Sequence, residues 1–179
     1  DALVFDEALT NSPALTAYLE PDTPGRFFQT RGGSLGSAIA GGLGLQAAAG
    51  DKPVFAFSGD GGGMYVIQAL WSAIRHDLPI KFVVCNNRSY RLLQANIEQF
   101  WDEHAVEGRK YPVAFDLSTP ELDFAAQAKA YGMESARVAH VEDIVPAIER
   151  ALAHPGPFLL DVLLEGDVNP ELVGVTCGQ

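Results

Sequence analysis

Apolar runs alternate along the chain with stretches whose apolar residues recur every three or four positions. The runs are "ALVFDE", "RFFQT", "PVFAFSG", "IKFVVCNN", "SARV" and "PFLLDVLLE". The longest of them lack polar–apolar alternation, which predicts strands covered on both faces. Between them, Thr10 to Leu19 reads as a helix, with Thr10, Asn11 or Ser12 as its N-cap and Pro13 in its first turn. The small-residue stretch "RGGSLGSAIAGGLGLQAAAG" has helical spacing. Met64 to His76 predicts a further helix, with Ile67, Leu70, Trp71 and Ile74 on one face. Leu122 to Tyr131, closed by Gly132, and Val141 to Ala153 complete the set. Strands alternating with helices predict a doubly wound α/β fold, a mostly parallel sheet with helices on both faces. Ligands of such a sheet bind at the carboxyl ends of its strands, in the turns that open the helices. Asn96 to Pro120 shows the least regular pattern and is expected to be a mobile segment over a site.

The length of 179 residues fits a single domain spanning 1–179. Because the strand pattern starts at once, that domain reads as the C-terminal part of a longer chain or a trimmed subunit. The formal net charge of −11 argues against nucleic acid and anionic membranes as partners, so an anionic ligand must be held by local devices. No apolar run approaches the length of a membrane span and no signal pattern opens the chain, so a soluble, cytoplasmic protein is expected. Cys85 and Cys177 read as free thiols in a reducing compartment, Cys85 as a small buried hydrophobe.

The chemistry concentrates in the loops after "FAFS" and "FVVC". Gly59-Asp60-Gly61-Gly62-Gly63 follows a strand and precedes a helix, where glycines and exposed N–H groups favour a phosphate. Asp60 puts a second anion in that space, and the two can share it only with a cation between them. Mg²⁺ is the natural choice, since it takes oxygen ligands from one or two carboxylates plus phosphates. Asn87, after the next strand, supplies a neutral amide oxygen, and the turn carbonyl of Ser89 a third. A dinucleotide site fits poorly: Met64 stands where the third glycine belongs, and Asn86-Asn87 where an acid should end the next strand.

Gly59-Asp60-Gly61, twenty-four residues, then Asn86-Asn87 resembles the diphosphate motif of thiamine diphosphate enzymes. "RGGSLGSAIAGGLG", "YVIQALWSAIRHDLPIKFVVCNNRSY" and "ELDFAAQAKAYGM" are similar to the decarboxylase and acetohydroxyacid synthase branch, most of all to benzoylformate decarboxylase-like proteins. The resemblance runs from about Val4 to Glu165 and implies the thiamine diphosphate-binding fold. It implies that Asp60, Asn87 and the Ser89 carbonyl bind Mg²⁺ or Ca²⁺, and that Gly61 and Gly62, beside Gly59, contact the diphosphate. Many relatives carry Ser where Gly62 stands, so one hydroxyl contact is missing here. In "GGSLG", Gly33 would accept from the aminopyrimidine through its carbonyl, next to Ser34, and Leu35 would wedge the cofactor into a V shape. Tyr65 and Tyr90 would flank the cofactor, and Thr10 to Ser12 would reach the diphosphate. The small-residue helix from Ser37 to Ala49 would pack closely near a subunit interface.

The same resemblance places the activating glutamate on a pyrimidine-binding domain of the same gene or a partner subunit, so no catalytic residue is expected in this chain. Glu7, Glu98 and Glu103 do not match it, and His76, His104, His140 and His154 stand isolated. Leu92, Leu93, Ile97, Phe100 and Trp101 are candidates to line a pocket for the acyl part of a 2-oxo acid. The reading is a homo-oligomeric 2-oxo acid decarboxylase or carboligase of which this chain is the diphosphate domain. A separate subunit of a split sulfopyruvate or phosphonopyruvate decarboxylase, or a non-catalytic binding module, are the alternatives.

Overall fold

The computed structural model describes residues 2–19, 21–30 and 32–165, so Cys177 lies outside the described residues. The chain runs β1 (Leu3–Glu7), a 3₁₀ turn, α1 (Ser12–Tyr18), β2 (Phe27–Gln29), α2 (Ser37–Ala48), β3 (Val54–Gly59), α3 (Asp60–Val66) and α4 (Leu70–Arg75). It continues through β4 (Lys81–Asn86), α5 (Arg91–Glu103), α6 (Phe124–Ala130), β5 (Glu134–Val138), α7 (Ile144–Ala153) and β6 (Phe158–Leu163). The strands form one sheet in the order β2-β1-β3-β4-β6-β5, every neighbour parallel. This is the doubly wound α/β fold that the pattern predicts.

Helices pack on both faces. On one, Val54, Ala56, Phe82 and Val84 meet Ile39 of α2, Leu70 of α4 and Phe124 of α6. On the other, Val83, Phe158 and Leu160 lie with Ala147 and Ala151 of α7. The expectation of strands covered twice holds for β4, whereas β3 is covered fully on one face and partly on the other, where Phe55 and Phe57 pack against the cluster under α7. In β3, Val54, Ala56 and Ser58 are buried while Phe55 and Phe57 are half-buried.

The helix expected over Met64 to His76 starts earlier and is broken. Asp60 opens α3, where an acid is favoured by the positive end of the helix dipole. A 3₁₀ turn, Ile67–Ala69, then separates α3 from α4. Three residues per turn instead of 3.6 resets the phase of the apolar stripe. Leu70 is therefore fully buried while Trp71, expected on the same face, is 55% exposed. The segment from Asn96 to Pro120 also differs from expectation, since α5 continues to Glu103 and Val113–Phe115 forms a 3₁₀ turn. Among the described residues, no helix is long and apolar enough to cross a membrane.

Phe82→Ala is expected to cost about 3–5 kcal/mol because it empties a fully buried site. Trp71→Ala should stay within about 0.5 kcal/mol. Urea unfolding of the two variants checks the reset phase.

Candidate functional site

The register brings three strand ends level. Glu7 of β1 pairs with Ser58, and Gly59 of β3 pairs with Cys85. From β1 the chain moves to β2 on one side, whereas β3 lies on the other, so the order reverses between β1 and β3. A crevice opens at such a point in a parallel sheet. Here it is a cavity of about 290 Å³, walled by residues 8–11 after β1, 59–62 after β3 and 89–93 after β4.

Asp60 is 4% exposed at the mouth of α3. Its Oδ1 accepts from the Gly61 N–H (2.7 Å) and its Oδ2 from the Ser89 N–H (3.2 Å). The Asn87 Oδ1 accepts from that same Ser89 N–H (3.1 Å). Two side-chain oxygens from adjacent strands thus converge on one turn. Burial raises the pKa of Asp60, opposed by the Gly61, Ser89 and Arg88 N–H groups. No cationic side chain forms an ion pair with it among the described residues. A buried carboxylate without a counter-charge is costly, and a hard cation bound by oxygens answers that cost. Nor do the described residues hold any group of three His, Cys, Asp or Glu side chains suited to a softer metal.

The turn that carries Asn87 and Ser89 is held under strain. Arg88 has φ +58°, a left-handed conformation that non-glycine residues seldom adopt. Its carbonyl accepts from Leu117 N–H (3.0 Å), and Tyr90 N–H and Ser89 Oγ both donate to the Phe115 carbonyl (3.0 Å each). Far from hanging loose over the site, the 113–117 stretch pins the turn in place. Tyr90 then lies against Gly61, where an added Cβ would sit 2.3 Å from its ring, so only glycine fits.

The two asparagines divide their work, because successive residues at a strand end point to opposite sides. Asn87 faces the cavity. Asn86 is fully buried, and its Nδ2 donates to Asp161 Oδ1 (2.9 Å) and the Leu122 carbonyl (3.1 Å). Asp161 Oδ2 accepts from the Phe124 N–H (3.1 Å) that opens α6. Asn86 therefore ties the end of β4 to β6 and α6.

Glu7 is the functional side chain that sequence reasoning missed. It is 1% exposed, and its Oε1 accepts from the Gly36 N–H while Oε2 accepts from the Ala38 N–H (2.6 Å) and Ser37 Oγ (3.3 Å). A Cβ at Gly62 would lie 3.0 Å from Oε1. One carboxylate thus braces the glycine turn on one side and the loop carrying Leu35 on the other. It fits the missing serine at Gly62, since a side chain there would crowd the carboxylate. The only signal in the sequence was an acid at the end of a strand facing a small-residue helix.

Of the residues expected at the site, Leu35, Gly59, Asp60, Gly61, Gly62, Tyr65, Asn87, Ser89 and Tyr90 all line the cavity. Gly33 (φ +68°) and Ser34 do not; both are exposed in the loop before α2. The Ser34 carbonyl accepts from Thr30 Oγ1 (3.0 Å) and Ser37 Oγ (3.2 Å). Thr10 and Asn11 line the cavity, but Ser12 does not. Leu92 and Leu93 are in it, whereas Ile97, Phe100 and Trp101 lie further along α5. Phe100 stacks on His104 and Trp101 against Tyr111. None of the four histidines lines the cavity, and neither do Glu98 and Glu103. Burial, with the Asp6 and Asp60 carboxylates nearby, pushes the Cys85 thiol up to about 12, which keeps it unreactive.

A parallel sheet that opens a glycine turn and an asparagine turn into one cavity defines a class of domain that holds an anionic cofactor at its strand ends. Residues 10–162 match the family model described as thiamine pyrophosphate enzyme, C-terminal TPP binding domain, and the chain belongs to that family. The benzoylformate decarboxylase of Pseudomonas aeruginosa is 33% identical over 162 residues, covering 90% of this chain and 29% of that protein. The sulfoacetaldehyde acetyltransferase of Alcaligenes xylosoxydans is 33% identical over 137 residues, covering 76% and 21%. The solved thiamine diphosphate-dependent 4-hydroxybenzoylformate decarboxylase of Rhodococcus jostii superposes with a TM-score of 0.80 at 29% identity, covering 94% of this chain and 30% of that one. The chain therefore spans a third or less of the length of these relatives.

Burial raises the pKa of Glu7 above its ordinary 4.5, against the Ala38 and Gly36 N–H groups. The folded chain then holds that proton more tightly than the unfolded chain does. The stabilisation this gives is complete below about 4.5 and is lost as pH rises through the raised value. Glu7→Gln should flatten that part of the stability–pH curve in urea unfolding. Glu7→Ala leaves two buried N–H groups without acceptors and should cost about 2–4 kcal/mol.

Proposed function

We propose that this chain is the diphosphate- and Mg²⁺-binding domain of a thiamine diphosphate-dependent enzyme acting on a 2-oxo acid, as decarboxylase or carboligase. The observation that carries the reading is the convergence of Asp60 Oδ2 and Asn87 Oδ1 on one turn, with Asp60 buried and lacking a cationic partner among the described residues. Asp60, Asn87 and the Ser89 carbonyl would hold the cation; Ca²⁺ could stand in for Mg²⁺. Gly59 has open space beside it, and with Gly61 and Gly62 it lines the cavity at the start of α3, where N–H groups and the helix dipole favour an anion. When bound, thiamine diphosphate supplies an electron sink for breaking the bond beside a 2-oxo group.

The chain's own residues would orient that cofactor. Leu35 is half-buried at the cavity wall, not packed away in the core, which suits an apolar wedge under the cofactor. Tyr65 and Tyr90 would flank it, with Gly33 and Ser34 meeting its pyrimidine end from the exposed loop. Leu92 and Leu93 offer an apolar wall to the acyl group of an aromatic or branched 2-oxo acid. Among the described residues no glutamate lines the cavity, and an activating glutamate would come from a pyrimidine-binding domain, in this gene or a partner subunit of a homo-oligomer. The Pseudomonas relative is named for the decarboxylation of benzoylformate, and the Alcaligenes relative for acetyl transfer. Of the two, the Pseudomonas relative carries the proposed reaction class in its name.

The test is calorimetric titration of thiamine diphosphate into the native protein with and without Mg²⁺. Binding should require the metal, and Asp60→Ala should weaken it at least about a hundredfold, since one ligand and a charge are lost. An unchanged affinity in Asp60→Ala overturns the site. Leu35→Ala should leave the affinity within about tenfold but lower kcat, because a wedge orients the cofactor more than it holds it.

A further inference from the structure

Arg91, the first residue of α5, is set against ordinary electrostatics. The N-terminal turn of a helix is the positive end of its dipole, where a cation is disfavoured. Its Nη1 donates to the neutral Gln94 Oε1 (3.0 Å), and its Nε is buried without any hydrogen-bond partner. No carboxylate pairs with it among the described residues. Yet among the described residues Arg91 is the only Lys, Arg or His that lines the cavity, and Asp60 the only acid.

We propose that Arg91 binds an oxyanion of the ligand held in this cavity, with the diphosphate as the first candidate. The inference rests on the functional reading above and adds a contact to it. A diphosphate ester carries roughly three negative charges at neutral pH, given a terminal phosphate pKa near 6. With Asp60 and one Mg²⁺ the diphosphate end of the cavity would still hold an excess of about two negative charges, about one once the thiazolium cation of the cofactor is counted, in a chain of net charge −11. A guanidinium offers a planar fork matched to phosphate or carboxylate oxygens, and the Arg91 fork at the cavity wall is paired with no carboxylate among the described residues. The carboxylate of a 2-oxo acid presents the same chemistry from the substrate side.

The experiment uses the native protein and its Arg91→Met and Arg91→Lys variants. Calorimetry gives the affinity for thiamine diphosphate and for inorganic diphosphate, each with Mg²⁺, and steady-state kinetics gives KM for the 2-oxo acid at saturating cofactor. Arg91→Met should weaken both diphosphate ligands about tenfold or more, as expected for a lost charge-assisted hydrogen bond. Arg91→Lys should recover part of that loss. A raised KM with unchanged diphosphate affinities also supports the oxyanion role and assigns it to the substrate. Unchanged affinities and unchanged KM in Arg91→Met overturn the inference. Circular dichroism checks folding, and Arg91→Gln replaces Arg91→Met if that variant does not fold. Wild-type protein that binds neither diphosphate ligand overturns the functional reading itself; a binding wild type with an indistinguishable Arg91→Met overturns only the role of Arg91.

Discussion

A carboxylate buried at a helix start, with no cationic side chain among the described residues to balance it, is the constraint around which this domain is arranged. Asp60 is kept in place by N–H groups from two turns, its own and that of Ser89. Everything that brings those turns together serves that end. The parallel register levels β3 with β4, the strained Arg88 aims the Asn87 turn, and the 113–117 stretch holds that turn by its carbonyls. The glycines allow the close approach. Were Asp60 exposed, none of this precision would be needed, because water would screen the charge at little cost.

Around that centre lies a second layer of buried polar groups that do not face the cavity. Glu7 fixes the loop before α2, and Asp161 fixes Asn86 and the start of α6. Each is a carboxylate satisfied mainly by backbone N–H or amide donors. Such arrangements cost desolvation but impose geometry, and a site held by loops needs its loops fixed. The apolar core, by contrast, sets only the spacing of sheet and helices.

The alternation of apolar runs and helical stretches made the sheet legible in the sequence, because the pattern is long and each strand end is marked by glycine or asparagine. The pairing of Asp60 with Asn87 was legible for the same reason, since adjacent parallel strands must bring their ends together. Three things were not. The 3₁₀ turn at Ile67–Ala69 has no compositional mark, so the phase of Trp71 was read wrongly. α5 was read as irregular over its second half because its polar and apolar residues do not close a core face; none of its residues is fully buried. Glu7 and Arg91 escaped notice because their meaning depends on partners about thirty residues away or on an absence of partners, and neither is a property of local sequence.

The in-register ends of β3 and β4 have a consequence for how such domains can diverge. The oxygens meet because Gly59 sits opposite Cys85, and a slip of one residue in either strand would turn Asp60 or Asn87 to the wrong side of the sheet. The crossover beyond Tyr65, as far as Ile80, carries no such register requirement, since it returns the chain to the start of the next strand. Insertions and deletions are therefore excluded from the strands yet tolerable in the α3–α4 connection. Apart from Gly62 and Tyr65, which line the cavity, the twenty-four residues between the two motifs are thus a record of helix length and not of chemistry. A distant relative could keep the same site with a different count.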